Sequence, residues 1–344
     1  AVLSTTLFKI MEQTAVDNIA TANAAFYYLN KRGAYKTVGT IGDRMQVPLM
    51  YELGSWDAYS NYDQLDVTPS DGVTSAFYDW GQSSVPVVIS GLEKKKNKGE
   101  AQIMNLLTTK SKQALMGIKE GFNKAFLQGN GPNTATEITT KYTSPTNGAQ
   151  FIDPLPLLVK YDPTSSTSIG NINQSTYSWW QNQLKASSST SYAAFLKELD
   201  NLYNLCSKGT GGSPDLNITD MLTWELYCAA LRAQHRNPSF MTADIPFRNV
   251  GFYGNAVVWE EFVPDAANGT TASIPVAASG TWYMLNSEFM EIQVDSETNF
   301  STTPFVTPEN QDASVAQILW LGGVGVSNRR KHGVMGSIAT TTAS

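Results

Sequence analysis

Few residues in this chain have a type and spacing suited to chemistry. The only histidines, His235 and His332, stand far apart, and neither has a metal-ligand spacing. Gly322-Gly323-Val324-Gly325-Val326-Ser327 has the glycine density of a phosphate cradle. A P-loop also needs a Lys-Ser/Thr pair opening a helix, so close backbone packing is the favoured reading here. Serine, histidine and aspartate are all present, but no Gly-x-Ser-x-Gly elbow presents a nucleophile. Glu260-Glu261 offers two carboxylates, yet neighbours on a strand face opposite sides, which does not suit a glycosidase pair. Trp179-Trp180 could stack on a sugar, although anchoring in a core or interface is the commoner use of such residues. Cys206 and Cys228 sit in helical, apolar contexts and read as free buried thiols. Two cysteines in 344 residues make no disulfide framework, and a reducing compartment is the simpler expectation. No catalytic residue, cofactor or metal site is expected.

Charge is more informative. Two basic runs occur, Lys94-Lys95-Lys96-Asn97-Lys98 and Arg329-Arg330-Lys331. Between Lys36 and Lys94 the only basic residue is Arg44, whereas Glu52, Asp57, Asp63, Asp66, Asp71 and Asp79 are acidic. An acidic stretch and a basic cluster make complementary surfaces. Asp57, Asp63, Asp66 and Asp71 against Lys94, Lys95, Lys96 and Lys98 are therefore the candidate contacts between subunits. A solvated face competes as the reading of both basic runs, and contact with nucleic acid is a third. Charged residues make up only 16% of the chain and the net charge is −6. About 25% charged is usual for a soluble domain, so much of this surface is expected to be covered by other protein; a secreted, hydroxyl-rich protein would look similar. The mild negative charge excludes a tight grip on nucleic acid. No apolar run approaches the ~20 residues of a membrane span.

The elements that must position these residues follow from periodicity. Phe8, Met11, Ala15, Ile19 and Ala22 recur at helical spacing, giving an arm-like helix over 7–31. Two strand-like runs follow, 44–51 and 77–89, with the polar stretch Glu52–Thr74 between them; together they read as a long two-stranded ribbon. Pro48 and Pro86 place both runs at sheet edges. Ile103, Leu106, Leu107, Ala114, Leu115, Ile118, Phe122 and Phe126 mark one face of a helix from Glu100 to Gln128, stopped at Gly129. Loops and short strands are expected over 130–190. Helices then follow from Tyr192 to Cys206 and from about Thr219 to Gln234, with a strand at Asp215–Ile218. From Val250 on the chain is mainly strand-like, notably at 256–259, 282–285 and 315–326, which completes an α+β pattern.

Several short strings carry a resemblance. They are Val47-Pro48-Leu49-Met50-Tyr51-Glu52, Tyr62-Asp63-Gln64-Leu65-Asp66, Tyr78-Asp79-Trp80, Val85-Pro86-Val87 and Ile89-Ser90-Gly91-Leu92-Glu93. Ile169-Gly170-Asn171-Ile172, Trp179-Trp180-Gln181-Asn182, Pro214-Asp215-Leu216 and Asn328-Arg329-Arg330 continue the series. In this order, over nearly the whole chain, they resemble tailed-bacteriophage major capsid proteins of the Hong Kong 97 type. That resemblance implies an N-terminal arm (1–43), an extended β-loop (44–92), and a long spine helix with peripheral domain (93–130). An axial domain with returning peripheral strands (131–327) and a C-terminal tail (328–344) follow. It implies a structural subunit, not an enzyme, that self-assembles as pentamers and hexamers into an icosahedral phage head enclosing double-stranded DNA. Capsomers of this type lock through extended loops and peripheral domains.

The implied partners are further copies of the chain, a portal protein, a separate scaffold protein and a decoration or cement protein. Contact with packaged DNA is expected to be weak and nonspecific, and no membrane partner is expected. The implied location is the virion, with assembly in the host bacterial cytoplasm. Encapsulin-type cellular compartments share the fold, so the fold alone does not specify a virion. Because the loop motif opens at Val47, no long N-terminal scaffold segment is expected ahead of it; either such a segment was cleaved earlier or, the favoured reading, a separate scaffold protein directs closure. In the type member a loop lysine forms an isopeptide bond with a neighbour's asparagine. This chain has no lysine from Thr37 through Glu93, and Arg44, permanently protonated, cannot replace one. A shell held by noncovalent contacts is the expectation.

Overall fold

The computed structural model describes residues 24–54, 56–64, 71–96, 106–129, 141–144, 146–187, 191–233, 250–263 and 280–338. Of the expected arm helix, only α1 (Ala24–Lys31) falls among them; 1–23 lie outside. Strand β1 (Tyr35–Val38) follows, then the antiparallel pair β2 (Met45–Met50) and β3 (Val73–Tyr78). Strand β4 (Gly81–Ser90) leads into the short helix α2 (Gly91–Lys96) and the long helix α3 (Leu106–Gln128). Along α3, Ala114, Ile118, Phe122, Ala125 and Phe126 recur at threes and fours and are buried, while Lys112, Lys119 and Lys124 are exposed. Gly129 ends the helix with φ +70°, its N–H bonded to the Ala125 carbonyl at 3.0 Å. A side chain would resist that left-handed geometry.

The rest of the chain builds the second half of the molecule. A buried helical turn, α4 (Leu155–Leu158), precedes the small pair β5 (Ser168–Ile169) and β6 (Ile172–Asn173), then β7 (Gln183–Ala186). Helix α5 (Tyr192–Ser207) is capped by the Ser191 hydroxyl and buries Phe195, Leu199, Leu202 and Cys206. Strand β8 (Leu216–Thr219), helix α6 (Met221–Ala233), β9 (Val250–Phe252), β10 (Asn255–Trp259) and β11 (Gly280–Leu285) follow. The chain closes with β12 (Met290–Thr302), β13 (Ala313–Val326) and β14 (Gly333–Ile338).

Two sheets result. One has the order β1-β12-β13-β4, the other β7-β14-β11-β8-β10-β9. The chain passes between them three times, from β4 to β7, from β11 to β12 and from β13 to β14. Every residue of β11 is buried, because Tyr283 and Leu285 face the first core while Trp282 and Met284 face the second, under α5 and α6. A sheet covered on both faces needs an unbroken apolar run rather than alternation. In the other sheet Phe122 of α3 meets Trp320 of β13, Phe151 and Phe26 of α1, with ring centroids 5.0, 6.0 and 5.2 Å away.

Two expectations need correction. The run at 77–89 is not one strand of the ribbon: β3 ends at Tyr78, and β4 pairs instead with β13, from Gly81↔Gly322 to Ser90↔Ala313. The chain bends at Gly81, where a Cβ would lie 2.9 Å from the Ile152 backbone nitrogen. Both prolines nonetheless lie on edges, Pro48 in a two-stranded pair and Pro86 in the outer strand β4. Residues 328–338 are not a tail, since β14 is inserted between β7 and β11. Strand β12 falls within the mainly strand-like stretch expected from Val250 on, and its Met290, Ile292 and Val294 alternate with polar residues and are buried.

Asp220 joins α6 to the six-stranded sheet. Its carboxylate is buried and accepts from the Thr223 N–H at 2.9 Å and the Thr281 N–H at 2.8 Å. An Asp220→Ala variant loses a helix cap and leaves a buried donor unpaired, so its urea unfolding should show a loss of roughly 2 kcal/mol or more.

Candidate assembly surfaces

The base of the β2–β3 ribbon is fixed to its own subunit. Met45, Leu49, Ala76 and Tyr78 are buried, and the Tyr78 hydroxyl donates to the Val326 carbonyl at 2.8 Å. The Phe77 N–H donates to the Gly170 carbonyl at 3.1 Å. Tyr51 stacks on Trp179 with centroids 5.2 Å apart and planes 17° from parallel. The glycine run of β13 permits this closeness: a Cβ at Gly325 would crowd the Tyr78 ring at 3.0 Å, and one at Gly322 would meet the Gln293 carbonyl at 2.6 Å. Close packing, not phosphate binding, is what that run provides. Across the ribbon's base, Asp79 bridges Arg44 (2.8 Å) and Lys141 (3.1 Å), and Lys141 reaches Asp153 at 3.3 Å. At Asp79 burial opposes ionisation but the two cations outweigh it, leaving the carboxyl below its ordinary range. Burial holds Asp153 above its ordinary value despite Lys141.

Beyond that base the described residues of the ribbon include several exposed large side chains. Trp56 is 89% exposed, Tyr62 fully so, and Met50, Leu53, Tyr59 and Val73 are also open to solvent. These aromatics were not among the expected contact residues, although a tryptophan and two tyrosines inside a polar stretch are a visible signal. The expected acids lie on the same segment. The Asp57 carboxylate accepts from the Ala58 N–H at 2.9 Å, Asp63 accepts from the Ser60 N–H at 2.8 Å, and Asp71 is exposed. Asp66 and Lys98 lie outside the described residues, as do the side chains of Lys94 and Lys96; Lys95 is exposed on α2. Among the described residues, no ion pair within the subunit joins these acids to Lys95.

The second basic run is not a surface. Arg329 and Lys331 are buried in the 3-10 turn Arg329–Lys331 between β13 and β14, and only Arg330 is exposed. The Arg329 guanidinium donates to the Leu158 carbonyl (2.9 Å), Gln174 Oε1 (3.0 Å), the Trp180 carbonyl (2.7 Å) and Asn182 Oδ1 (2.9 Å). Burial lowers its pKa to about 10, so it stays charged at neutral pH. Lys331 Nζ donates to the carbonyls of Lys208 (3.1 Å), Gly209 (3.3 Å) and Gly212 (3.1 Å) beyond the end of α5. Both cations satisfy backbone and amide oxygens within the subunit, which removes them from any solvated or nucleic-acid-facing role. Trp180 is likewise a core anchor, its indole N–H donating to the Ile169 carbonyl at 2.9 Å. Glu260 is buried, accepting from the Ala25 N–H at 2.6 Å and from Asn123 at 3.3 Å, so it ties α1 to α3. Cys206 and Cys228 are free and buried; burial pushes the Cys206 thiol up to about 12.

Ribbon, long helix, sheet of returning strands and second α/β body, in this chain order, define the fold of phage major capsid proteins of the Hong Kong 97 type. Solved structures share it. A subunit of the cyanophage A-1(L) capsid superposes with a TM-score of 0.64 at 11% identity, covering 96% of this chain and 98% of the other. The SrpI encapsulin of Synechococcus elongatus gives 0.61 at 8% identity, covering 100% and 97%. A Gordonia phage Cozz protein gives 0.56 at 15% identity, covering 96% and 91%. At such identities the likeness is one of fold. No protein-family model matches the sequence, and no curated protein is similar to it.

Replacing Arg329 with lysine keeps the charge but cannot reach four acceptors. Arg329→Lys should cost roughly 3 kcal/mol, read as a lowered urea midpoint of the subunit. A pH dependence follows from His332, which is buried with Nδ1 accepting from the Asn286 N–H at 3.3 Å. Burial, aided by the Arg329 charge, depresses its pKa to about 3. The unfolded chain takes up this proton near pH 6.5 and the folded one does not. The stabilisation is therefore complete above about 6.5 and is lost, by up to about 1.4 kcal/mol per unit, as pH falls from there towards 3. His332→Asn should flatten that part of the stability–pH curve.

Proposed function

We propose that this chain is a major capsid protein, a non-catalytic subunit that assembles as pentamers and hexamers into an icosahedral phage head around double-stranded DNA. The observation that carries the reading is the ribbon. Its base is anchored to its own body, and its distal segment presents Trp56, Tyr59 and Tyr62 to solvent in a chain whose fold, along its full length, is that of shell subunits. A monomer exposing these rings is only partly satisfied; neighbouring copies cover them. On this reading Asp57, Asp63, Asp66 and Asp71 of one subunit face Lys94, Lys95, Lys96 and Lys98 of another. Exposed pairs contribute only ~0–1 kcal/mol each, so they set register and rate of assembly more than affinity. The arm, extended loop, spine and axial regions take the roles of that subunit plan, with β4 and β14 assigned to the sheets. A portal protein, a separate scaffold protein and a decoration or cement protein complete the set of partners. DNA contact is weak, and the shell forms in the host cytoplasm.

The encapsulin likeness favours a second reading, a cellular compartment shell; the sequence strings that resemble phage proteins favour the first. Size-exclusion chromatography and negative-stain microscopy of the purified protein test both. Megadalton particles support a shell subunit, and tails on particles from the native source select the phage head. A protein that stays monomeric at all concentrations overturns both readings. Boiled in denaturant, the particles should release one band at the monomer mass, since Thr37 through Glu93 contains no lysine; a denaturant- and reductant-resistant ladder would contradict noncovalent closure.

A further inference from the structure

Asn147, Asn173 and Asn286 fold their side chains back on the main chain in the same way. Their amide oxygens accept from the N–H groups of Ala149 at 3.1 Å, Ser175 at 2.9 Å and Glu288 at 3.0 Å. Each bond closes a ring that contains both the side-chain Cγ and the main-chain nitrogen of the next residue, and so keeps these two atoms close. The surroundings differ. Asn286 is buried, its amide N–H donates to the Gly211 carbonyl at 3.1 Å, and the following Ser287 N–H is held by the Asp215 carboxylate at 2.8 Å. Asn173 is half-buried and also accepts from the Ser175 hydroxyl at 2.9 Å. The residue after it, Gln174, is buried against Arg329. Asn147 and Gly148 are both exposed, and Gly148 has no side chain to shield its nitrogen. It holds φ +68°, which glycine adopts readily. Its N–H donates to the Ser144 carbonyl at 3.0 Å, in the open loop of a small hairpin whose stem includes the Thr143↔Gln150 bridge.

We propose that Asn147 is a site of spontaneous deamidation in the folded subunit, and that the fold directs the reaction there and away from Asn173 and Asn286. The Gly148 nitrogen gives up its proton to hydroxide and bonds to Cγ of Asn147. The Cγ–Nδ2 bond breaks, and Nδ2 takes a proton from water and leaves as ammonia. Water then opens the resulting succinimide at either carbonyl, giving an aspartyl or an isoaspartyl residue. A water is consumed and an ammonia released, with no change of oxidation state. Both products carry a carboxylate where a neutral amide stood, on a groove of about 360 Å³ between β4 and α3 that Lys124 also lines. The isoaspartyl product in addition lengthens the main chain by a methylene carbon within the hairpin loop. The stem of that hairpin leads back to Lys141, which pairs with Asp79 and Asp153 at the base of the ribbon. The inference concerns the subunit by itself and holds whatever it assembles into.

Trypsin cuts after Lys141 and Lys160 and releases residues 142–160, in which Asn147 is the only asparagine. The full chain is kept folded in warm, mildly alkaline buffer, sampled over days, then unfolded and digested at mildly acidic pH, which stops the reaction. Peptide 142–160 should gain about one dalton with first-order kinetics and separate into two products, the isoaspartyl form in excess. Asn173 and Asn286, read by fragment-ion sequencing, should remain amides. The same chain in guanidinium chloride, where no turn is held, supplies the comparison. In Asn147→Gln the peptide should keep its mass, which separates conversion at Asn147 from any at Gln150. A folded chain whose peptide 142–160 does not change overturns the proposal, whether or not the denatured chain converts. So does conversion of Asn173 or Asn286 as fast as that of Asn147, or a gain that persists in Asn147→Gln.

Discussion

Arg329 is the constraint on which the subunit's organisation depends. It lies where the chain leaves the four-stranded sheet for the six-stranded one, and its guanidinium is buried away from water. A buried cation is tolerated only if its donors are matched. Here four neutral oxygens, from Leu158, Gln174, Trp180 and Asn182, converge on it from three separate stretches of chain. The 155–182 region contains little regular structure of its own. It is held in place because it supplies those acceptors, and the cation lies 5.8 Å from the Trp180 ring centroid. Lys331 does the same two residues later for the loop after α5, so one short turn fixes both flanks of the junction between the sheets.

That junction is continuous with the ribbon. Trp180 packs against Trp179 and Trp179 stacks on Tyr51, with centroids 5.7 and 5.2 Å apart. The base of the ribbon is thus positioned by rings that lead back to Arg329, and the Tyr78 hydroxyl bond to Val326 holds its other strand. Among the described residues the distal segment shows no comparable support. A two-stranded ribbon alone is marginal in water, and this one carries exposed aromatics beyond its base. On the proposed reading, neighbouring copies supply the surface that covers them.

Polar residues within the two cores have local tasks that explain their presence in a chain so poor in charge. Asp220 caps α6 and receives the Thr281 N–H, Glu260 joins α1 to α3, and His332 stays neutral while accepting from Asn286. Each satisfies backbone or amide donors, and in that role these three groups serve the fold.

The amino-acid order by itself determined what depends on neighbours a few residues away. The three- and four-residue spacing of α3 and α5, the Gly129 stop, the edge placement of Pro48 and Pro86 and the close packing at the Gly322–Gly325 run are all legible there. So is the separation of acids before Glu93 from lysines after it. Tertiary structure decided where distant segments compete for the same partner. Residues 81–90 have the composition of a ribbon strand, yet ten residues of β13 offer a longer ladder than the ribbon does. Arg329-Arg330-Lys331 has the composition of a solvated patch, and nothing local reveals that four oxygens far away in sequence will surround the first of these. The bare aromatics at the ribbon's tip were equally undecidable from pattern, because exposure belongs to whatever fails to cover a residue. Periodicity is written in the chain, but burial depends on which other segments arrive.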